Sequence, residues 1–330
     1  MEIWLRPAPN RPVWKTMMSG LSLDLTHLQA AFGERLQTNV PLARYTSARV
    51  GGPADALLVA NTANDLTGIM QRLWQMDAPY WVLGGGSNVL VSDTGLRGVV
   101  VINRARQVRF NDATTPPSVW AESGANFGAL ARQAANRGLS GLEWAAGIPG
   151  TLGGAVVGNA GAFGGDMSGN LLLAEILHPN GHEHWPVERL EYAYRTSILK
   201  HQPGQHVVLS ATLALQPSTP KAVQARSNEF TERRHRTQPP GASMGSMFKN
   251  PPGDAAGRLI DAAGLKGLQI GDAQISPLHG NFFINHGQAS AADIYSLISL
   301  ARTQVAEKFA VTLELEVELL GFWEAVEQEI

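Results

Sequence analysis

The stretch ADALLVANTANDLTGIM, residues 54–70, carries the signals that decide the fold. Its first part, ADALLVA, is an apolar run of strand length. Thr62 and Asp65 then form the pattern of a capping box, which opens a helix. Apolar residues follow at the spacing of one helix face: Leu66, Ile69, Met70 and Leu73. Two more strand-length runs, APYWVL (78–83) and GVVVIN (98–103), complete a β-α-β order, which is typical of nucleotide- or cofactor-binding domains.

Later segments predict further elements and a second domain. A helix is expected around Asn126–Arg137, and ILHPNGHEHWPV (176–187) predicts a hairpin with Asn180 and Gly181 in a type I′ turn. The segment from Lys221 to Arg236 is polar and predicts a surface helix, and a capping box at Ser290 predicts another helix. VTLELEVELL (311–320) alternates strictly, which predicts a strand with its glutamates on one face. We predict an extension of uncertain order at 1–40, a first domain at 41–216 and a second at 217–330.

Composition excludes several classes of function. Of 330 residues 44% are hydrophobic and 16% charged, which is typical of a globular protein. The net charge of −2 lacks the basic excess of a protein that binds nucleic acid or an anionic membrane. No cysteine is present, so disulfides, thiolate nucleophiles and Cys-ligated metals are excluded. No apolar run approaches the ~18 residues of a membrane span, and we expect a cytoplasmic protein.

Two glycine-rich loops are the main chemical signals. LGGGSN (83–88) follows a predicted strand, and its glycines allow backbone N–H groups to approach an anion such as a diphosphate. It is neither a Rossmann fingerprint nor a Walker A motif, and a glycine-rich turn is an equally good interpretation. GIPGTLGGAVVGNAGAFGG (147–165) combines many glycines with small and uncharged residues. Such a segment leaves room for a flat ligand, or it is a tightly packed loop.

Six motifs in order carry a resemblance to a known family. They are TSARVGGPAD (46–55), VLGGGSNVLVSD (82–93), GIPGTLGGAVVGNAGAFG (147–164), YRTS (194–197), GSMFKNP (245–251) and LELEV (313–317). Together they resemble the UDP-N-acetylenolpyruvoylglucosamine reductases, also called UDP-N-acetylmuramate dehydrogenases, over roughly residues 41–321. The resemblance implies an α+β fold, in which an FAD-binding domain of the vanillyl-alcohol-oxidase (PCMH) type precedes a smaller α/β substrate-binding domain.

The family's chemistry is expected by the same resemblance. It implies that NADPH reduces a non-covalently bound FAD, whose N5 delivers a hydride to the enolpyruvyl group of UDP-N-acetylglucosamine enolpyruvate. The product is UDP-N-acetylmuramate, a peptidoglycan precursor. An enolate develops on the substrate, so the site needs groups that stabilise it and a placed proton donor. The expected partner is a small UDP-sugar, with no nucleic acid, no membrane and no obligate protein partner.

Matching of the motifs assigns the site residues. Ser246 is the expected proton donor, and Arg195 and Glu316 the expected enolate stabilisers; Lys249 and Asn250 are weaker candidates for substrate binding. No metal is expected. The cofactor-binding residues expected from the two loops are Gly84, Gly85, Gly86, Ser87, Asn88, Gly147, Ile148, Pro149, Gly150, Gly153, Gly154 and Val156. The alternation of residues 311–320 does not distinguish Glu316 from Glu314 or Glu318, so only the LELEV match selects it.

Some questions stay open at this level. No tyrosine lies between positions 196 and 245, so the sequence resembles the form of the family that lacks a tyrosine-bearing loop over the substrate. The polar residues of HGNFF (279–283) and Asn285 receive no role. Two other functions are alternatives: an FAD-dependent oxidase of another alcohol or sugar, and a non-catalytic protein that binds nucleotide sugars. The GSMFKNP motif argues against the oxidase, because an oxidase needs no serine acid.

Overall fold

The computed structural model describes residues 23–323, so positions 1–22 of the predicted extension and positions 324–330 lie outside the described residues. The helices are α1 (Leu25–Phe32), α2 (Ala63–Gln75), α3 (Phe127–Asn136), α4 (Leu152–Gly158), α5 (Ile198–His201), α6 (Pro220–Thr237), α7 (Ala256–Ala262) and α8 (Ala291–Phe309). The strands are β1 (Gln37–Pro41), β2 (Pro53–Ala60), β3 (Tyr80–Leu83), β4 (Val89–Val91), β5 (Leu96–Asn103), β6 (Val108–Asn111), β7 (Ser118–Glu122), β8 (Leu139–Ser140), β9 (Gly161–Ala162), β10 (Gly165–Asp166), β11 (Leu171–His178), β12 (Gly181–Pro186), β13 (Val207–Ala214), β14 (Gln216–Pro217), β15 (Gln269–Ile270), β16 (Ala273–Ile275), β17 (Phe283–Asn285) and β18 (Glu318–Leu320).

A four-stranded sheet in the order β1-β2-β5-β3 forms the start of the fold. β2, β5 and β3 are parallel, and β1 adds an antiparallel edge. α2 connects β2 to β3, and its predicted apolar face is buried, which confirms the β-α-β prediction. The capping box is only half formed. Thr62 accepts a hydrogen bond from Asp65 N, but the Asp65 carboxylate accepts from Asn61 N, one residue before the N-cap.

A five-stranded antiparallel sheet in the order β12-β11-β13-β7-β6 follows. α3 begins after Asn126 as predicted, and it packs with α4 on the core of this sheet. The hairpin β11–β12 is present, but the predicted turn is wrong. His178 pairs with Gly181, so Pro179 and Asn180 are the central residues. A type I′ turn needs positive φ at both, which the proline ring forbids and Asn180 does not adopt.

The C-terminal part has its own core, built by α7 and α8 against the sheet β15-β16-β17. α8 opens with the predicted capping box between Ser290 and Asp293. A residue from the first half adds to this cap. The Asp93 carboxylate accepts hydrogen bonds from Ala291 N at 2.8 Å and from Ala292 N at 2.9 Å. A negative charge at a helix N-terminus is stabilising, so Asp93 fastens the two parts of the chain together.

The predicted strand 311–320 is regular only at its end, where β18 pairs with β4 in parallel. Up to the first residue of β18 the backbone forms hydrogen bonds with two different loops in turn. Glu316 N donates to Met247 O, whereas Glu318 N donates to Asn88 O. Because the partner changes along the segment, no continuous ladder forms and the single-strand prediction for residues 311–317 is wrong.

α6 connects the two parts of the molecule. Its predicted position, 221–236, is confirmed within one residue at each end. Phe230 of α6 packs against the core of the five-stranded sheet and stacks on Phe163. The boundary between 216 and 217 stays a prediction. α6 follows this boundary in sequence, but it packs against the core of the first domain. Within residues 23–323, no helix is both long and apolar enough to cross a membrane.

Candidate active site

The loop Gly84–Asn88 connects β3 to β4 at the carboxyl end of the parallel strands. Within residues 23–323, none of its five backbone N–H groups donates a hydrogen bond. Its carbonyl groups are used: Ser47 N donates to Gly86 O at 2.9 Å, and Glu318 N donates to Asn88 O at 3.0 Å. A run of unpaired N–H groups on a loop whose carbonyls are fixed is suited to hold an anion.

The two glycine-rich loops pack directly on each other. A Cβ at Gly84 would lie 2.3 Å from Thr151 Oγ1, and a Cβ at Gly85 would lie 3.1 Å from Gly150 Cα. Ser87 Oγ donates to Pro149 O at 3.4 Å. These glycines are therefore required by loop–loop packing, and anion binding depends on the N–H groups rather than on open space beside each glycine.

An open cleft of about 220 Å³ lies beside the first loop. Its lining combines backbone of that loop with two arginines that the sequence analysis did not select: Arg44, Tyr45, Thr46, Ser47, Gly84, Gly85, Ile102 and Arg104. Arg44 comes just before the TSARVGGPAD motif, and Arg104 comes just after β5. These two positions, next to a motif and at the end of a parallel strand, could have marked both arginines as ligand-binding candidates. Two guanidinium groups beside free N–H groups fit a diphosphate.

The other predicted loop residues have diverse surroundings. Gly147 lies against the side chain of Arg234, and a Cβ at Gly153 would lie 2.9 Å from Ser123 Cβ. Gly154 is exposed, and Ile148 packs at the edge of the core. Val156 is completely buried. Close packing thus accounts for Gly153 and Val156, and Gly154 is the one of the three predicted residues in this helix that stays open to a ligand.

Gly86 gives a direct test of the loop. It has φ of +58°, and a Cβ there would lie 2.0 Å from Tyr45 O. We expect Gly86→Ala to lower the unfolding free energy by more than about 1 kcal/mol and to reduce the flavin bound per protein, because the loop must move.

Gly68→Ala is the control. Gly68 lies exposed in α2 with no atom near its Cβ position, so alanine stabilises by roughly 0.5–1 kcal/mol. Thermal unfolding and the ratio of absorbance at visible and ultraviolet wavelengths measure both effects; equal flavin content in the two variants would contradict the prediction.

Arg195 and Glu316 form an ion pair although they are far apart in sequence. Arg195 Nε donates to Glu316 Oε1 at 2.7 Å, and Arg195 Nη2 donates to Gly161 O at 2.8 Å. Arg195 has φ of +59°, in the left-handed region, within the short turn bridged by Ala193 and Thr196. One edge of the guanidinium is thus held by protein groups, which leaves the Nη1 side to pair with a carboxylate.

Each glutamate of the 314–318 segment binds a different cation. Glu314 pairs with Lys249, Glu316 with Arg195 and Glu318 with Lys200, the last at 2.6 Å. Their side chains differ in exposure: 73% for Glu314, 17% for Glu316 and 50% for Glu318. The structure therefore distinguishes Glu316, which the alternating pattern could not.

Burial sets the protonation of Glu316. It raises the pKa of the Glu316 carboxyl above its ordinary value, and the nearby positive charges of Arg195, Lys200 and Lys249 oppose this shift. Glu316 consequently takes up a proton more readily than an exposed glutamate does.

The backbone next to Ser246 contacts the backbone of Glu316. Met247, the neighbour of Ser246, accepts the hydrogen bond from Glu316 N at 2.9 Å. The Ser246 hydroxyl is half-buried and makes no hydrogen bond to another group of residues 23–323, so it is available to a ligand. The structure thus pairs Arg195 with Glu316 and places the backbone next to Ser246 against the backbone of Glu316.

Lys249 and Asn250 are engaged elsewhere. The Lys249 ammonium binds Glu314 rather than Ser246. Asn250 Oδ1 accepts from Ala256 N at 3.0 Å, which satisfies a backbone group at the start of α7. In the described part of the chain, no group of three or more His, Asp or Glu side chains is arranged to hold a metal ion.

Comparison with known proteins identifies the family. A family described as "FAD binding domain" matches residues 54–185, and "UDP-N-acetylenolpyruvoylglucosamine reductase, C-terminal domain" matches residues 236–320. The chain is 46% identical over 293 residues to a UDP-N-acetylenolpyruvoylglucosamine reductase of Chloroflexus aggregans, covering 86% of this chain and 97% of that protein. A reductase of Bacillus subtilis is 40% identical, with 87% and 94% covered. The crystal structure of the enzyme from Thermus caldophilus matches with a TM-score of 0.73 at 38% identity, covering 86% of this chain and 98% of that one. The chain belongs to the UDP-N-acetylenolpyruvoylglucosamine reductase family.

Membership of the reductase family confirms several predictions. The fold is α+β, with an FAD-binding domain followed by a smaller C-terminal domain, and its assignment to the vanillyl-alcohol-oxidase type stays a prediction. The protein is an oxidoreductase with FAD as its cofactor. The unpaired N–H groups of Gly84–Asn88 and the two cleft arginines fit the diphosphate of FAD. The segment without tyrosine, 196–245, contains α5, β13, β14 and α6.

Proposed function

We propose that the protein reduces the enolpyruvyl group of UDP-N-acetylglucosamine enolpyruvate to give UDP-N-acetylmuramate, with NADPH as the reductant. A hydride and a proton add across the carbon–carbon double bond, and NADPH becomes NADP⁺. The backbone contact of the Ser246–Met247 segment with Glu316, which pairs with Arg195, supports this reaction most directly, because reduction of a vinyl carboxylate needs a proton donor near a carboxylate-binding group.

Arg195 and Glu316 act on the charge that develops in the substrate. Addition of hydride to the terminal carbon leaves negative charge on the neighbouring carbon and its carboxylate, as an enolate. The guanidinium is fixed by Glu316 and Gly161 and needs no reorganisation to face this charge. The raised pKa of Glu316 allows its carboxyl to gain a proton and hydrogen-bond an enolate oxygen.

Ser246 then returns a proton to the carbon that carries the charge. A serine hydroxyl is a weak acid, so it can serve only against a strongly basic carbon, which an enolate supplies. The hydroxyl has no competing partner within residues 23–323, and its backbone is tied to Glu316 through Met247.

The cofactor and substrate sites follow from the same residues. Gly84–Asn88 and the cleft arginines hold FAD, and the second loop, Gly147–Val156, lines the cofactor where it is open. The chemistry that FAD supplies when bound is the transfer of a hydride equivalent from NADPH to the substrate. NADPH and nucleotide sugars are cytoplasmic compounds, so the proposal puts the enzyme in the cytoplasm, with a UDP-sugar as its small-molecule partner.

The visible absorption spectrum tests this function. The purified protein should be yellow and should bleach on anaerobic addition of NADPH. The colour should return when UDP-N-acetylglucosamine enolpyruvate is added without oxygen. Return of colour only after admission of air would favour an oxidase instead. A protein that binds the sugar nucleotide but never consumes NADPH with it would be the non-catalytic alternative.

A further inference from the structure

The side chain of Asn281 binds both polar backbone groups of Phe248, the residue that follows Ser246 and Met247. We call these two hydrogen bonds the Asn281 bracket. Phe248 N donates to Asn281 Oδ1 at 2.9 Å, and Asn281 Nδ2 donates to Phe248 O at 2.8 Å. Met247 N also donates to the backbone oxygen of Asn281 at 2.9 Å. The asparagine is only 2% exposed, so water does not compete for these bonds. One side chain thus satisfies both polar backbone groups of Phe248, as a neighbouring strand would.

The loop that carries Ser246 depends on this bracket. Residues 245–249 belong to no helix or strand. On the other side, the loop is held by the 314–316 segment, through Glu316 N to Met247 O and Lys249 N to Glu314 O. The buried Phe248 ring fixes its depth in the C-terminal core, but a ring in an apolar pocket does not fix the register of the backbone. The amide of Asn281 does, because its oxygen accepts from Phe248 N while its nitrogen donates to Phe248 O.

The segment after Asn281 extends the same arrangement to the cofactor cleft. Asn285 Nδ2 donates to Ala48 O at 2.9 Å, and Asn285 Oδ1 accepts from Gly287 N and Ala289 N. Ala48 adjoins Ser47, which lines the cleft. Residues 281–285 therefore hold the Ser246 loop at one end and the wall of the cleft at the other.

We propose that Asn281 is a positioning residue for proton transfer: by fixing the register of Met247 and Phe248 it holds the Ser246 hydroxyl in place relative to the Arg195–Glu316 pair. This inference rests on the proposed function, with Ser246 as the donor. Asn281 touches no reacting atom; it acts through the loop.

A double-mutant cycle separates positioning from general stability. We expect Asn281→Ala to leave the rate of FAD reduction by NADPH unchanged and to slow substrate reduction by about 10²-fold, the effect of a displacement near 1 Å. In a Ser246→Ala background the same change should have almost no further effect, since there is no hydroxyl left to misplace. Equal slowing in both backgrounds would overturn the proposal.

A second variant and a second readout make the test independent of folding and of turnover. Asn281→Asp keeps the shape and the acceptor but, when ionised, loses the donor to Phe248 O; it replaces the alanine variant in the cycle if that variant does not fold. Hydrogen exchange of the Phe248 amide should accelerate at least about tenfold in Asn281→Ala, because its acceptor is gone. Unchanged exchange there would show that the bracket does not hold the loop.

Asn170→Ala is the matched control. Asn170 makes a half-buried bridge in the first domain, accepting from Trp144 Nε1 at 2.9 Å and donating to Ala214 O at 3.2 Å. We expect it to lower the melting temperature while both half-reactions keep their ratio. If Ser246→Ala alone reduces substrate at the wild-type rate, the donor assignment of the proposed function fails. If Ser246→Ala is slow but the Asn281 variants are not, only the present inference fails.

Discussion

Ser246→Ala is expected to keep the reduction of FAD by NADPH and to slow the reduction of the enolpyruvyl substrate by at least about 10²-fold, the low end of the effect of losing a general acid. The hydroxyl has no structural hydrogen bond within residues 23–323, so its removal leaves the loop in place. Anaerobic stopped-flow absorbance of the flavin measures the two half-reactions separately.

The control for Ser246 lies in the same loop region. Ser243, three residues earlier, is also half-buried, and its side chain makes no hydrogen bond within the described residues. Ser243→Ala should therefore behave as the wild type in both half-reactions. A Ser246→Ala protein that reduces substrate at the wild-type rate would remove serine from the role of donor.

Arg195→Lys is expected to lower the rate of substrate reduction by about 10²- to 10³-fold, the range for losing one preorganised donor to a developing oxyanion. Lysine keeps the charge, but its ammonium cannot bind Glu316 and Gly161 O and also pair with a carboxylate in the planar geometry of the guanidinium. Single-turnover reduction of the substrate measures the loss.

Arg97→Lys provides the comparison for Arg195. Arg97 also pairs with a carboxylate, Asp55, at 2.7 Å, but its side chain is 56% exposed. Exposed ion pairs contribute little, so this variant should retain both half-reactions. Full activity of Arg195→Lys would assign the buried pair a structural role only.

Local periodicity predicted the elements that depend on local packing. The apolar face of α2, the start of α3 after Asn126 and the capping box of α8 all follow from residues within one or two helical turns. The predicted turn type was wrong because the Asn180–Gly181 pattern favours type I′, whereas the proline before it has a fixed negative φ and is itself a central residue of the turn.

The site depends on contacts that spacing cannot supply. Arg195 and Glu316 are 121 residues apart, and Asn281 binds Phe248 across 33 residues. Three alternating glutamates look alike in sequence, and only their three different partners make Glu316 the buried one. The motifs selected Arg195, Ser246 and Glu316 by resemblance, and the structure adds the contacts that hold their segments in place.

The pairing of β18 with β4 has a consequence for biosynthesis. Domains fold as units from the N-terminus during translation, so the FAD-binding part can fold while later residues are still being added. Glu316 and Glu318, which complete the bonds to Arg195 and Asn88, follow those two residues by 121 or more positions in the sequence. On the ribosome, the nascent protein therefore has an arginine without its carboxylate and a glycine loop without its neighbouring strand. The enzyme becomes competent only after the segment that carries Glu316 and Glu318 has left the ribosome.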